Sequence, residues 1–127
     1  MERVTGIGGF FFRAADPQAI GRWYAQHLGV DPPPVSYGEV SWWQQAGPTV
    51  ISAMAADSEH IGADSGWAIN FRVADLDAMV AQLTGAGIEV VVDEETYPNG
   101  RFADLRDPEG NRVQLWQPTG TDLLAER

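Results

Sequence analysis

With 127 residues, the chain can bury one sizeable core or two small fused modules. Its 8 basic residues, all Arg, stand against 18 acidic ones, and the net charge of −10 argues against nucleic-acid and anionic-membrane partners while suiting a cationic ligand or plain solubility. The lack of Cys excludes a disulfide framework and thiolate chemistry, and no basic segment leads into a long apolar run at the N-terminus, so a cytoplasmic protein is expected.

Taken in order, Gly6 to Ala14 has the period of a strand, with Phe11 and Arg13 on one face and Phe10 and Phe12 on the other. Asp16-Pro17 then opens a helix as N-cap and first residue, Ile20, Trp23, Tyr24 and Leu28 mark its buried side, and Gly29 suits its end. After Asp31-Pro32-Pro33-Pro34, strands are expected over 35–44 and 49–54, separated by the turn Gln45-Ala46-Gly47-Pro48. Residues 57–66 read as a polar linker.

The grammar then starts again. Trp67 to Ala74 is strand-like, Asp75 caps a helix carrying Leu76, Met79, Val80 and Leu83, and Ile88 to Glu94 is a further strand. The last pair of strands flanks Asp107-Pro108-Glu109-Gly110-Asn111, whose Pro, Gly, Asp and Asn are turn formers. Folding that hairpin about Glu109 sets Asp104 opposite Gln114 and Phe102 opposite Trp116, leaving Ala103, Leu105, Val113 and Leu115 as core.

Phe12-Arg13-Ala14-Ala15-Asp16 aligns with Phe71-Arg72-Val73-Ala74-Asp75, so the two halves read as a repeated βαβββ unit. The divisions are 1–56 for the first module, 57–66 for the linker, 67–118 for the second module and 119–127 for a polar tail, all within one structural domain. The paired Phe-Arg-x-Ala-Asp segments and the ending Phe102 to Trp116 resemble the vicinal oxygen chelate superfamily, which holds glyoxalase I, extradiol dioxygenases and bleomycin-resistance-type binding proteins. The resemblance implies an α+β glyoxalase-like fold, two βαβββ modules whose curved, mainly antiparallel sheets surround a cavity, in a homodimer.

It also implies where a metal would be held in metal-using relatives: at Gly9, Ala68 and Gln114, with the first module's last position near Ile51 and Ser52. Gly and Ala have no donor and an amide is a poor ligand for a divalent cation, so no metal and no cofactor are expected. His27 and His60 are isolated and supply no ligand cluster. By strand parity the cavity wall would comprise Phe11, Arg13, Asn70, Arg72, Phe102, Asp104, Gln114 and Trp116, with Trp42 favoured over Trp43. The ion pairs expected there join Asp104 to Arg13 or Arg72.

The reading that follows is a metal-independent, glyoxalase-like protein binding a small apolar or aromatic molecule, as drug-sequestering resistance proteins do. The alternative is a lyase, isomerase or dioxygenase of the superfamily, with Asp104 as the candidate base.

Overall fold

A computed structural model describes residues 1–124 of the chain. Its sheet is built around the hairpin of β3 (Gly100–Arg106) and β4 (Arg112–Pro118). The two strands pair antiparallel in the register expected from the turn, with Asp104 opposite Gln114 and Phe102 opposite Trp116. On the other side of β4 lies β1 (Ile69–Arg72), parallel to it, with Asn70 beside Gln114 and Arg72 beside Trp116. The edge strand β2 (Val91–Val92) runs antiparallel to β3, giving an open sheet of order β1-β4-β3-β2.

Alternation along the strands separates the faces. Ala103, Leu105, Val113 and Leu115 all point to one side and are buried. Helix α1 (Pro17–Leu28) and helix α2 (Leu76–Gly85) supply the rest of that core through Ile20, Tyr24, Leu76 and Leu83. Leu76, Leu83, Leu115 and Val113 are completely covered, each contributing about 1.5–3 kcal/mol relative to an exposed position. The fold is α+β, and β1-α2-β2-β3-β4 reproduces the βαβββ order read from residues 67–118.

Both helices start as their sequences require. The Asp16 carboxylate accepts from the Ala19 N–H at 3.0 Å, and Asp75 accepts from Ala78 at 3.0 Å. The hairpin adds further acceptors. Gln117 Oε1 takes the Leu76 N–H at 2.7 Å, while the two Glu109 carboxylate oxygens take the N–H groups of Ala15 and Asp16 at 2.6 and 3.1 Å. Acceptors at these positions satisfy donors that a helix start otherwise leaves unmet, and a carboxylate there also complements the helix dipole.

The turn itself is held by Asp107, only 4% exposed. Its Oδ1 accepts from the Glu109 and Asn111 N–H groups, each at 2.9 Å, and its Oδ2 from Asn111 Nδ2 at 2.7 Å and the Tyr24 hydroxyl at 2.7 Å. Gly110 lies at φ +83°, the left-handed conformation its place in the turn demands.

The first half differs from expectation. None of the segments 6–14, 35–44 and 49–54 joins a ladder among the described residues, so one mixed sheet is present rather than two. Glycines at 6, 8 and 9 weaken the first segment as a strand. Its period survives in the packing. Phe10 and Phe12 set their rings against Trp67, with centroids 5.1 Å apart in each case, and Phe11 on the opposite side is 95% exposed. Ring packing, not backbone pairing, therefore docks this segment. The strand expected over Ile88 to Glu94 is reduced to Val91–Val92. In the tail, Thr121–Leu124 form a short helix α3, and residues 125–127 lie outside the described residues.

Replacing Asp107 by Ala should destabilise the protein by about 2–4 kcal/mol, because four donors lose their acceptor. Urea unfolding measures this. Burial, and then the hydrogen bond to Asp107, raise the Tyr24 pKa above the ordinary tyrosine value. A raised folded pKa gives stability that is complete below the unfolded value, near pH 10, and is lost as pH climbs beyond it. Stability should thus fall from about pH 10 upward, and less steeply in Tyr24→Phe; equal slopes would contradict this assignment.

Candidate functional site

The sheet face away from α1 and α2 carries the even-numbered residues of β1, β3 and β4. Ladder pairing arranges them in two rows. Arg72, Trp116 and Phe102 form one row, and Asn70, Gln114 and Asp104 the next. All six of these second-module candidates therefore share one surface.

In the aromatic row, the Phe102 and Trp116 rings are parallel to within 2°, with centroids 6.3 Å apart. Trp116 is only 5% exposed, and its indole N–H donates to the Asn99 carbonyl at 2.8 Å. Tyr97 sets its edge toward Phe102, with centroids 5.9 Å apart. The Tyr97 hydroxyl donates to Asp93 Oδ2 at 2.8 Å. That bond, with help from Glu95, pushes the Tyr97 pKa up to about 12. The result is an aromatic wall locked from behind.

The polar row begins with an amide pair. Asn70 Nδ2 donates to Gln114 Oε1 at 2.9 Å. This leaves the Asn70 oxygen and the Gln114 NH₂ as an adjacent acceptor and donor. Asp104 follows, but its ionic partner is neither Arg13 nor Arg72. Arg112 reaches Asp104 Oδ1 through Nε and Nη2, both at 2.8 Å, and donates from Nη1 to the His60 carbonyl at 2.6 Å. The diagonal position of Arg112 across the hairpin puts it within side-chain reach, whereas Arg72 lies on the far side of β4. Arg72 instead clasps the turn before residue 50. It donates to the carbonyls of Gln45 (2.7 Å) and Pro48 and to Thr49 Oγ1 (3.2 Å).

The first-module candidates sit apart from these rows. Phe11 and Arg13 are exposed. Trp42 is the more covered of its pair, 39% exposed against 84% for Trp43, yet among the described residues no ring contact joins it to Phe102 or Trp116. Sequence pattern did not reveal the roles of Arg112, Tyr97 and Asn99. Arg112 shares the parity of Gln114 and Trp116, and its diagonal relation to Asp104 was the signal that could have found it. Tyr97 and Asn99 lie in an irregular segment with no period to read. An open groove of about 790 Å³ continues from Asp104 and Arg112 past Val91 to Trp23.

The family model described as Glyoxalase/Bleomycin resistance protein/Dioxygenase superfamily matches residues 6–115. The chain belongs to this superfamily. Among solved structures, this superfamily member is similar to TnmS3, an antibiotic binding protein from Streptomyces sp. CB03234. That match has 22% identity and a TM-score of 0.59, covering 94% of this chain and 100% of that one. It is also similar to lactoylglutathione lyase from Agrobacterium tumefaciens, at 18% identity and a TM-score of 0.57, covering 91% and 96%. Likeness at these identities concerns the fold. A match to a glyoxalase family protein from Bacillus anthracis, at 28% identity and a TM-score of 0.38, covers 42% of this chain and 43% of that one, under two thirds of its length. No curated protein matches the chain. Among the described residues, no helix is long and apolar enough to cross a membrane.

A divalent cation of the kind used by enzymes of this superfamily does not fit the donors here. Gln114 is neutral and its oxygen is taken by Asn70, and Gly9 and Ala68 carry no donor atoms. Among the described residues, no three His, Asp or Glu side chains stand together as a ligand set.

Gly100 lets the aromatic row close. It sits at φ +137°, and a Cβ there would lie 2.2 Å from the Gln117 carbonyl oxygen and 2.8 Å from Trp116 Nε1. Gly100→Ala should therefore cost roughly 2–4 kcal/mol. It should also alter the near-ultraviolet circular dichroism of Trp116; an unchanged spectrum and midpoint would contradict the close approach.

Proposed function

We propose that the chain is a metal-independent binder of a small, flat aromatic or apolar molecule, held on the sheet face opposite the helices. The observation that carries this reading is the parallel Phe102–Trp116 pair beside the Asn70–Gln114 amides. Phe102, held rigid by the covered Trp116 beside it, and a few convergent polar groups suit a planar ligand, which gains dispersion from the partly exposed ring and orientation from the amides. The fold likeness to an antibiotic binding protein supports a sequestering role of this kind. So does the state of Asp104. Two N–H groups of Arg112 occupy its Oδ1, a positioning contact more than the free carboxylate that a general base needs.

The first half of the chain would complete the enclosure in a homodimer. Phe11, Val35, Tyr37, Val40, Trp43 and Val50 are exposed apolar side chains that a second copy would cover. In this arrangement the two modules of 1–56 and 67–118 act as one structural domain.

The enzyme reading rests on one observation. Among the described residues, Asp104 Oδ2 has no hydrogen-bond partner, so it could accept a substrate proton in a lyase or isomerase step.

Isothermal titration against a set of planar aromatic compounds tests the proposal. Phe102→Ala should weaken binding roughly tenfold through lost stacking. Treatment with EDTA should leave the affinity unchanged. Loss of binding on chelation would overturn metal independence. Consumption of the compound by the parent but not by Asp104→Asn would favour the enzyme.

A further inference from the structure

We propose that the ligand of this face carries an anionic group, a carboxylate or an acidic phenolate, and that Arg72 receives it. The inference rests on the aromatic-binding reading above and adds the charge of what is bound.

The charges on the face are unequally matched. Asp104 is paired with Arg112. Asp93 accepts from the Tyr97 hydroxyl and, through its other oxygen, from the Glu95 N–H at 3.0 Å. Arg72 differs from both. Its hydrogen-bond partners are two carbonyls and a hydroxyl, all neutral, and among the described residues no carboxylate lies within ion-pair distance of it. Its ladder partner is Trp116, so the cation stands at one end of the aromatic row. A flat ligand on the partly exposed Phe102 ring, extending across the edge of the covered Trp116, would bring one end to the guanidinium.

Arginine is suited to that exchange. Its fork matches a carboxylate in a bidentate geometry with both partners charged, whereas its present acceptors are single neutral oxygens. An anionic group would thus replace the neutral oxygens of residues 45–49 as the better partner, releasing that turn from the sheet. The net charge of −10 opposes the approach of an anion. That repulsion is screened beyond about 8 Å at physiological salt, whereas the contact at Arg72 is not. The local charge pattern therefore outweighs the acidic composition, which by itself suits a cation.

Three probes with one ring system separate the possibilities: naphthoate, naphthamide and naphthylmethylammonium, titrated calorimetrically into the full chain. We expect naphthoate to bind roughly tenfold more tightly than the amide, with the cation weakest. In Arg72→Gln, the ratio of naphthoate to naphthamide affinity should fall toward one. Arg72→Lys, which keeps the charge and loses the fork, should retain part of that ratio. Circular dichroism first confirms that each variant is folded, and Arg72→Lys serves if Arg72→Gln is not. Tighter binding of the cation, or a ratio unmoved in the folded variants, overturns the charge assignment while leaving the aromatic site standing. Binding of none of the three overturns both.

Discussion

Everything on the sheet face depends on how the β3–β4 turn is held, and the buried carboxylate of Asp107 holds it. Its four donors come from the turn backbone, from Asn111 and from Tyr24 of α1. One side chain thereby shapes the hairpin and ties it to a helix more than eighty residues earlier in the chain. Glu109, two residues on, accepts the N–H groups at the start of the same helix. A buried carboxylate is costly unless its hydrogen bonds are complete, and the cost of breaking such a set explains why the geometry is unique. Hairpin register follows from the turn, and register decides which residues face away from the helices.

Much of this is legible in the amino-acid sequence. Period-two alternation on either side of 107–111 and the four turn formers Asp107, Pro108, Gly110 and Asn111 are enough to predict the pairing of Asp104 with Gln114 and of Phe102 with Trp116. Asp16-Pro17 and Asp75 locate both helix starts, because capping is a local interaction. That the first half joins no ladder among the described residues is not legible, since strand formation depends on a partner edge that local pattern does not supply. Residues 10–12 illustrate this. Their alternation is visible in how Phe10 and Phe12 pack against Trp67, yet no ladder follows from it. Side-chain pairing is equally hard to read. Arg112 rather than Arg13 or Arg72 takes Asp104 because diagonal reach on the hairpin outranks sequence analogy between the halves.

The two faces of one sheet thus do different work. The inner face buries aliphatic side chains against α1 and α2 and supplies stability. The outer face leaves aromatic and amide groups in rows whose spacing is set by strand separation. Superfamily membership alone does not choose among binding, isomerisation and oxygenation. The side chains narrow that choice. The positions that the resemblance matches to metal ligands in metal-using relatives carry Gly, Ala and an amide already engaged with its neighbour. What the face does offer is a rigid aromatic row, a donor–acceptor amide pair and one arginine satisfied only by neutral oxygens among the described residues.

The most direct test of this account is a nitrogen–proton correlation NMR titration of the uniformly labelled protein with a planar aromatic ligand. The account requires shifts at the Trp116 indole N–H, at the side-chain amides of Asn70 and Gln114, and along the Phe102 backbone. Shifts confined to α1, α2 or the groove beside Trp23, with those four signals unmoved, would contradict it.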